Sequence, residues 1–253
     1  MAKAIKPRSG KSTSATPATS ASAPVAIKTT AATSPPAPSQ TIPVPPDNLD
    51  GLVRRQVWPT SEMIHRIHPE RFGATQFNPG PDGNARFSPI QDNTGNSIAT
   101  IYGGSTFNCV AMETVFHDVP HSPALKSVAK RKLKGHLHSQ VSPTTDLVLA
   151  ELTTIPLRKL GIKRGELIDS EKDVYPQTRV WAEAIRAQCA DVHGLLWVSR
   201  QDDTAKAIVL FEDRLGPNPL SNVGASVDIV QDDHTYAALI DLADGIGVKI
   251  TGS

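Results

Sequence analysis

The stretch IATIYGGSTFNCVAMETVFHDVP, residues 98–120, sets one carboxylate, Glu113, in a helix that is otherwise apolar on almost every side. At 100° per residue, Phe107, Val110, Ala111, Thr114 and Val115 share one face, while Cys109, Met112 and Phe116 occupy much of the other. A helix that is apolar all round is a buried helix. Glu113 projects near Cys109 and Phe116, so it faces protein rather than bulk water. A carboxylate there is costly unless it is paired, hydrogen-bonded or open to a ligand. Two readings follow: a helix-edge glutamate satisfied by one arginine, or a carboxylate exposed in a binding cleft.

Four other residues have types and positions that bear on this choice. Arg66, in HRIHP, is flanked by apolar positions, where an arginine serves either a ligand or a structural ion pair, for example to Glu113. Arg86, in NARFSPI, follows a glycine-rich stretch; a loop guanidinium can hold a phosphate through two parallel hydrogen bonds, or simply be a surface residue. Tyr102 ends the strand before Gly103 and Gly104, as a core residue or a stacking surface. Ser199 ends the apolar run LLWVS, as a polar stop or a hydrogen-bonding group.

The elements that must position these groups can be read from pattern. MIHRIH reads as a strand, residues 72–97 as a long loop dense in Gly, Pro, Asn and Asp, and SIATIY as a second strand. A turn at Gly103-Gly104 then leads to the Glu113 helix, capped by Ser105 or Thr106 and running to about His117. ALKSVAKRKLKGHLHS is basic and reads as helical. TDLVLAELTTIPL reads as a strand, YPQTRVWAEAIRAQCAD as a helix, HGLLWVSR and KAIVLFEDR as strands, and DDHTYAALIDLADGIGVKI as a helix with a closing strand. Paired strands near the C-terminus argue against a doubly wound parallel sheet. The fold class is α+β, a mixed β-sheet core with flanking helices.

Composition sets the boundaries. Residues 1–46 hold nine of the 21 prolines, five cations and no acid, and are otherwise mostly Ala, Ser and Thr. Such a segment buries too little apolar surface to offset its ordering entropy, so it reads as a disordered basic tail, leaving 47–253 as one domain. The domain then carries 21 Lys and Arg against 25 Asp and Glu, which argues against direct nucleic-acid binding. No signal sequence or membrane span is visible, and Cys109 and Cys189 read as buried thiols, so a cytoplasmic protein is expected. The pairs His65/His68, His117/His121 and His136/His138 lack a third well-placed ligand, so no metal site is expected. The run Lys126, Lys130, Arg131, Lys132 and Lys134 reads as a solvated face, or as a contact for an acidic partner or the adenosine end of a dinucleotide.

Taken together, Arg66, the ARF loop at Arg86, Tyr102 at a strand end, Glu113 eleven residues later and a strand ending WVSR resemble the RES domain family over residues 60–215. The family's loop arginine is usually preceded by Gly and followed by an aromatic and Asn; here Ala85, Phe87 and Ser88 surround Arg86. The resemblance implies an ADP-ribosyltransferase-like fold that binds NAD as substrate, with no further cofactor, and breaks its nicotinamide–ribose bond. It further implies a toxin paired with an Xre-type helix-turn-helix antitoxin. On that reading Glu113 stabilises the developing oxocarbenium ion. Tyr102 stacks on the nicotinamide or ribose, Arg66 and Arg86 hold the pyrophosphate, and Ser199 binds the ribose or orients Glu113. The chemistry is then an NAD glycohydrolase, with a protein ADP-ribosyltransferase or a catalytically silent binding domain of the same fold as the alternatives.

Overall fold

A computed structural model describes residues 41–252. The chain enters through a short helix α1 (Leu49–Leu52) and the strands β1 (Arg55–Trp58) and β2 (Ile64–Pro69). A long loop carries only the two-residue strands β3 (Ile90–Gln91) and β4 (Ser97–Ile98) before β5 (Thr100–Gly104) and α2 (Phe107–Thr114). Next come β6 (Lys126–Ala129), β7 (His136–Pro143), β8 (Leu147–Glu151), and the helices α3 (Thr154–Leu160), α4 (Arg164–Leu167) and α5 (Tyr175–Gln188). The chain closes with β9 (Gly194–Val198), β10 (Lys206–Phe211), β11 (Leu220–Asn222), β12 (Val227–Asp228), α6 (Asp233–Gly245) and β13 (Val248–Thr251).

Nine strands form one sheet in the order β1-β8-β9-β10-β5-β2-β7-β11, with β12 also on β7. β8 and β9 run parallel, as the crossover through α3, α4 and α5 requires. The other pairs of this sheet are antiparallel. The fold is therefore α+β with a mixed sheet and flanking helices.

Strand alternation sorts the residues by face. In register, Trp197 on β9, Ala207 on β10 and Gly104 on β5 form one row; Leu195, Val209 and Tyr102 form the next. This face packs with Phe87, Cys109 and Trp181 into one core cluster. Ile101, Leu196, Ile208 and Leu210 point the other way, into a second cluster with Trp58, Ile64 and Phe77.

Three local readings are corrected. Gly103 and Gly104 do not make a turn; they extend β5, and what they supply is close approach. A Cβ on Gly103 would lie 2.3 Å from Ile64 Cγ2, and one on Gly104 2.8 Å from Cys109 Sγ. The basic segment 124–139 is not a helix. It forms β6, a 3-10 turn at Lys130–Lys132 and the start of β7, because β6 finds a parallel partner in β13. The run 145–157 is a strand only to Glu151; Thr153 then precedes α3, where Pro156 sits in the tolerant first turn.

The expected tail lies outside the described residues except for 41–46, and those pack onto α5. Ile42 is buried and its N–H donates to Gln177 Oε1 at 2.7 Å. Trp181 Nε1 donates to Pro43 O at 2.7 Å, and Gln188 Nε2 to Pro46 O at 3.0 Å. The folded domain thus starts earlier than composition suggests.

Candidate functional site

Thr106 caps α2 by accepting from Cys109 N–H at 3.1 Å, and Gly104 lets the helix settle against β10. The helix ends at Thr114, three residues short of the expected His117, so Glu113 stands on its last turn, half-buried at the wall of a cavity of about 330 Å³. Among the described residues no arginine or lysine pairs with Glu113. Its hydrogen-bond partner is Ser199, whose hydroxyl donates to Glu113 Oε1 at 2.6 Å.

The direction of that bond is fixed by what surrounds Ser199. The side chain is fully buried, and its Oγ accepts from the N–H groups of Gln201 at 3.0 Å and Asp202 at 3.1 Å. With two donors on the oxygen, the hydroxyl proton is left for the carboxylate. Ser199 therefore locks one oxygen of Glu113 and leaves the other available to the cavity. The local signal is the SRQD sequence at a strand end, where a serine takes up backbone donors of the following turn.

Tyr102 and Trp197 form the floor. Their rings meet edge to face with centroids 6.4 Å apart, and Phe87 meets Trp197 at 5.1 Å. Phe87 N–H donates to the Tyr102 hydroxyl at 3.1 Å, tying the long loop to β5. Burial pushes the Tyr102 phenol up to about 12, so it stays neutral. Asn84, Ala85 and Arg86 bring the loop over one side of the same cavity.

Arg86 lines the cavity, but most of its donors serve protein. It donates to Ser170 O at 3.2 Å, Ser170 Oγ at 3.0 Å and the Tyr175 hydroxyl at 3.3 Å, with its guanidinium 5.0 Å from the Tyr175 ring centroid. Burial lowers its pKa from the usual arginine value.

Arg66 does not join the others. On β2 it alternates with Ile67, which lines the cavity, and so lies on the opposite face of the sheet, beside the Gly103 backbone. There it is buried and donates to Tyr102 O at 3.0 Å, Gly73 O at 3.4 Å and Ala74 O. Burial without a carboxylate lowers it to about 10. The expected pyrophosphate contact is corrected by this placement: Arg66 staples the loop at 73–74 to the strand that carries Tyr102.

Pattern gave no warning of Asp118, Lys172 and Tyr175 and offered His117 only as half of a weak metal pair; the four close the mouth. Tyr175 Oη lies 3.4 Å from His117 Nε2, His117 Nδ1 lies 2.8 Å from Asp118 Oδ1, and Lys172 Nζ donates to the same oxygen at 2.6 Å. These are loop and helix-start residues brought together only by the fold. Cys109 beside Glu113 is a buried thiol, pushed up to about 12 chiefly by burial, and is no nucleophile at neutral pH. Among the described residues no group of three or more His, Cys, Asp or Glu side chains is placed to hold a metal ion, and no helix is long and apolar enough to cross a membrane.

Residues 63–229 match the RES domain, and the chain belongs to that family. The fold is similar to that of a chain in the crystal structure of the M. tuberculosis MbcT–MbcA toxin–antitoxin complex. The TM-score is 0.57 at 17% identity, covering 78% of this chain and 95% of that one. No curated protein matches the sequence.

Proposed function

We propose that this protein is an NAD glycohydrolase acting as the toxin of a toxin–antitoxin pair. The observation that carries the reading is Glu113, a carboxylate on a cavity wall that makes no contact ion pair among the described residues, feels the charge of Arg86 across the cavity, and has one oxygen fixed by a buried serine. The second carboxylate oxygen has no protein cation in contact with it among the described residues, so part of the cost of half-burying the charge is left without compensation. A cation that forms only during a reaction gives that charge a use.

In NAD the bond from ribose C1′ to the nicotinamide nitrogen breaks with its electron pair passing to nicotinamide, which leaves neutral. Positive charge develops on C1′ and the ring oxygen, and the free oxygen of Glu113 stabilises it. A water attacks C1′, its proton passes to Glu113 or solvent, and ADP-ribose is released. Tyr102 and Trp197 offer aromatic surface to the nicotinamide end. Ser199 acts through Glu113 as a positioning residue, and Arg86 adds positive charge to the wall. The loop residues Asn84–Arg86 cover a small ligand, which favours water over a protein acceptor.

Family membership supports NAD as the substrate. The toxin role, and an antitoxin partner of Xre type, are carried over from the family and from the likeness to a toxin–antitoxin complex. The test is release of nicotinamide and free ADP-ribose from NAD by the purified chain. Label from the adenylate half of NAD collecting on a protein band in lysate, with little free ADP-ribose, would replace hydrolysis by transfer.

A further inference from the structure

A second cavity, of about 500 Å³, opens where the end of α2 meets β6 and the start of β7. It shares Thr114 and Asp118 with the first, so the two are neighbours across one wall. Lys126, Lys132 and His136 line it. Among the described residues none of these three side chains has a hydrogen-bond or ion-pair partner. His136 Nδ1 is shut off from solvent as well as unpartnered, a state that buried polar atoms seldom keep without a ligand or water. The one carboxylate in the lining, Asp118, is already taken by Lys172 and His117. Leu125 at the rim is 86% exposed, an apolar side chain that no described residue covers.

This combination fits a ligand that bears phosphate on an apolar body. The first cavity lies at the small end of the range for small-molecule sites, roughly 300–1,000 Å³, and NAD is a large ligand. Arg66 is across the sheet and Arg86 is largely committed to Ser170 and Tyr175, so neither can grip a pyrophosphate with a free fork. The basic segment supplies the cations that these arginines do not.

We infer that the second cavity binds the adenosine-diphosphate half of NAD. Lys126 and Lys132 meet the pyrophosphate, a turn of the His136 ring brings Nδ1 to it as a hydrogen-bond donor, and Leu125 covers the adenosine. This deepens the NAD reading and rests on it. The nicotinamide ribose then sits at Glu113 and the diphosphate crosses the wall at Thr114.

The test titrates ADP into the full chain by calorimetry, beside the double variant Lys126→Ala/Lys132→Ala and the single variant His136→Ala, with melting temperatures as the folding control. ADP binds the parent, and loss of two charge-assisted contacts weakens it about tenfold or more in the double variant. The KM for NAD rises in step while kcat for nicotinamide release stays within about twofold, and cleavage of nicotinamide riboside, which lacks phosphate and adenosine, is unchanged. A parent that does not bind ADP, or a folded double variant that binds it as tightly as the parent, overturns the inference. ADP binding lost with the lysines in a protein that releases no nicotinamide would keep this site and refute the cleavage reading.

Discussion

Replacing Ser199 with Ala removes one hydroxyl that serves three partners at once. Two of them, the N–H groups of Gln201 and Asp202, lose their acceptor in a fully buried place. An unsatisfied buried donor costs about 1–3 kcal/mol, so the pair together lowers stability by about 2–4 kcal/mol once partial relaxation is allowed. The third partner, Glu113 Oε1, loses a 2.6 Å charge-assisted bond, an interaction of about 1.5–3 kcal/mol. If that bond holds the carboxylate where positive charge develops, its loss falls on kcat at about one tenfold per 1.36 kcal/mol, a drop of about 10- to 150-fold. KM stays near the parent value because Ser199 does not reach the cavity. The assay is steady-state nicotinamide release, run well below the variant's melting temperature so that only folded protein is compared. Ser199→Cys retains a weak donor and falls between Ala and the parent. A folded Ser199→Ala protein with the parent's kcat would show that orientation of Glu113 by this hydroxyl is irrelevant to catalysis.

Arg66→Ala lowers the melting temperature by releasing the loop at 73–74 from β5, yet leaves the KM for NAD of the folded protein within about twofold; a raised KM without lost stability would return Arg66 to the ligand. Arg86→Ala frees Ser170 and Tyr175 and raises KM, with Arg86→Lys recovering only part because one ammonium cannot serve both partners; an unchanged KM would remove Arg86 from the wall. His138, packed on His65 and Phe107, is held down to about 4 by burial, reinforced by His65 and His68. An unfolded histidine titrates near 6.5. Between these values the unfolded chain binds a proton that the folded one refuses, so this contribution to stability is intact above about pH 6.5 and is lost as the pH falls to about 4. Melting temperatures across pH 4–7 check this, and a His138→Gln variant has a flatter profile; identical slopes would refute it.

Much of the site was legible because single elements carry it. The apolar pattern around Glu113, the Thr106 cap and the strand ending at Ser199 are local features, and the structure joins two of them in one hydrogen bond. Arg66 falls outside the site because a sheet covered on both faces gives a buried arginine two places to go, and only the pairing of β2 with β5 and β7 decides between them. The basic segment misled for the opposite reason. Its lysines favour a helix locally, while pairing between β6 and β13, some 120 residues apart in the chain, overrides them. Asp118, Lys172 and Tyr175 left no trace in pattern, since residues that meet only through tertiary packing have no shared spacing to read.

In the proposed reaction the charge of Glu113, and not its shape, breaks the nicotinamide–ribose bond. Glu113→Gln keeps the side-chain volume and an oxygen for Ser199 to donate to, but removes the negative charge. The direct measurement is nicotinamide release from NAD by the folded variant beside the parent. The expected result is a fall of about 10²–10³ in kcat with the melting temperature nearly unchanged; release at the parent's rate would contradict it.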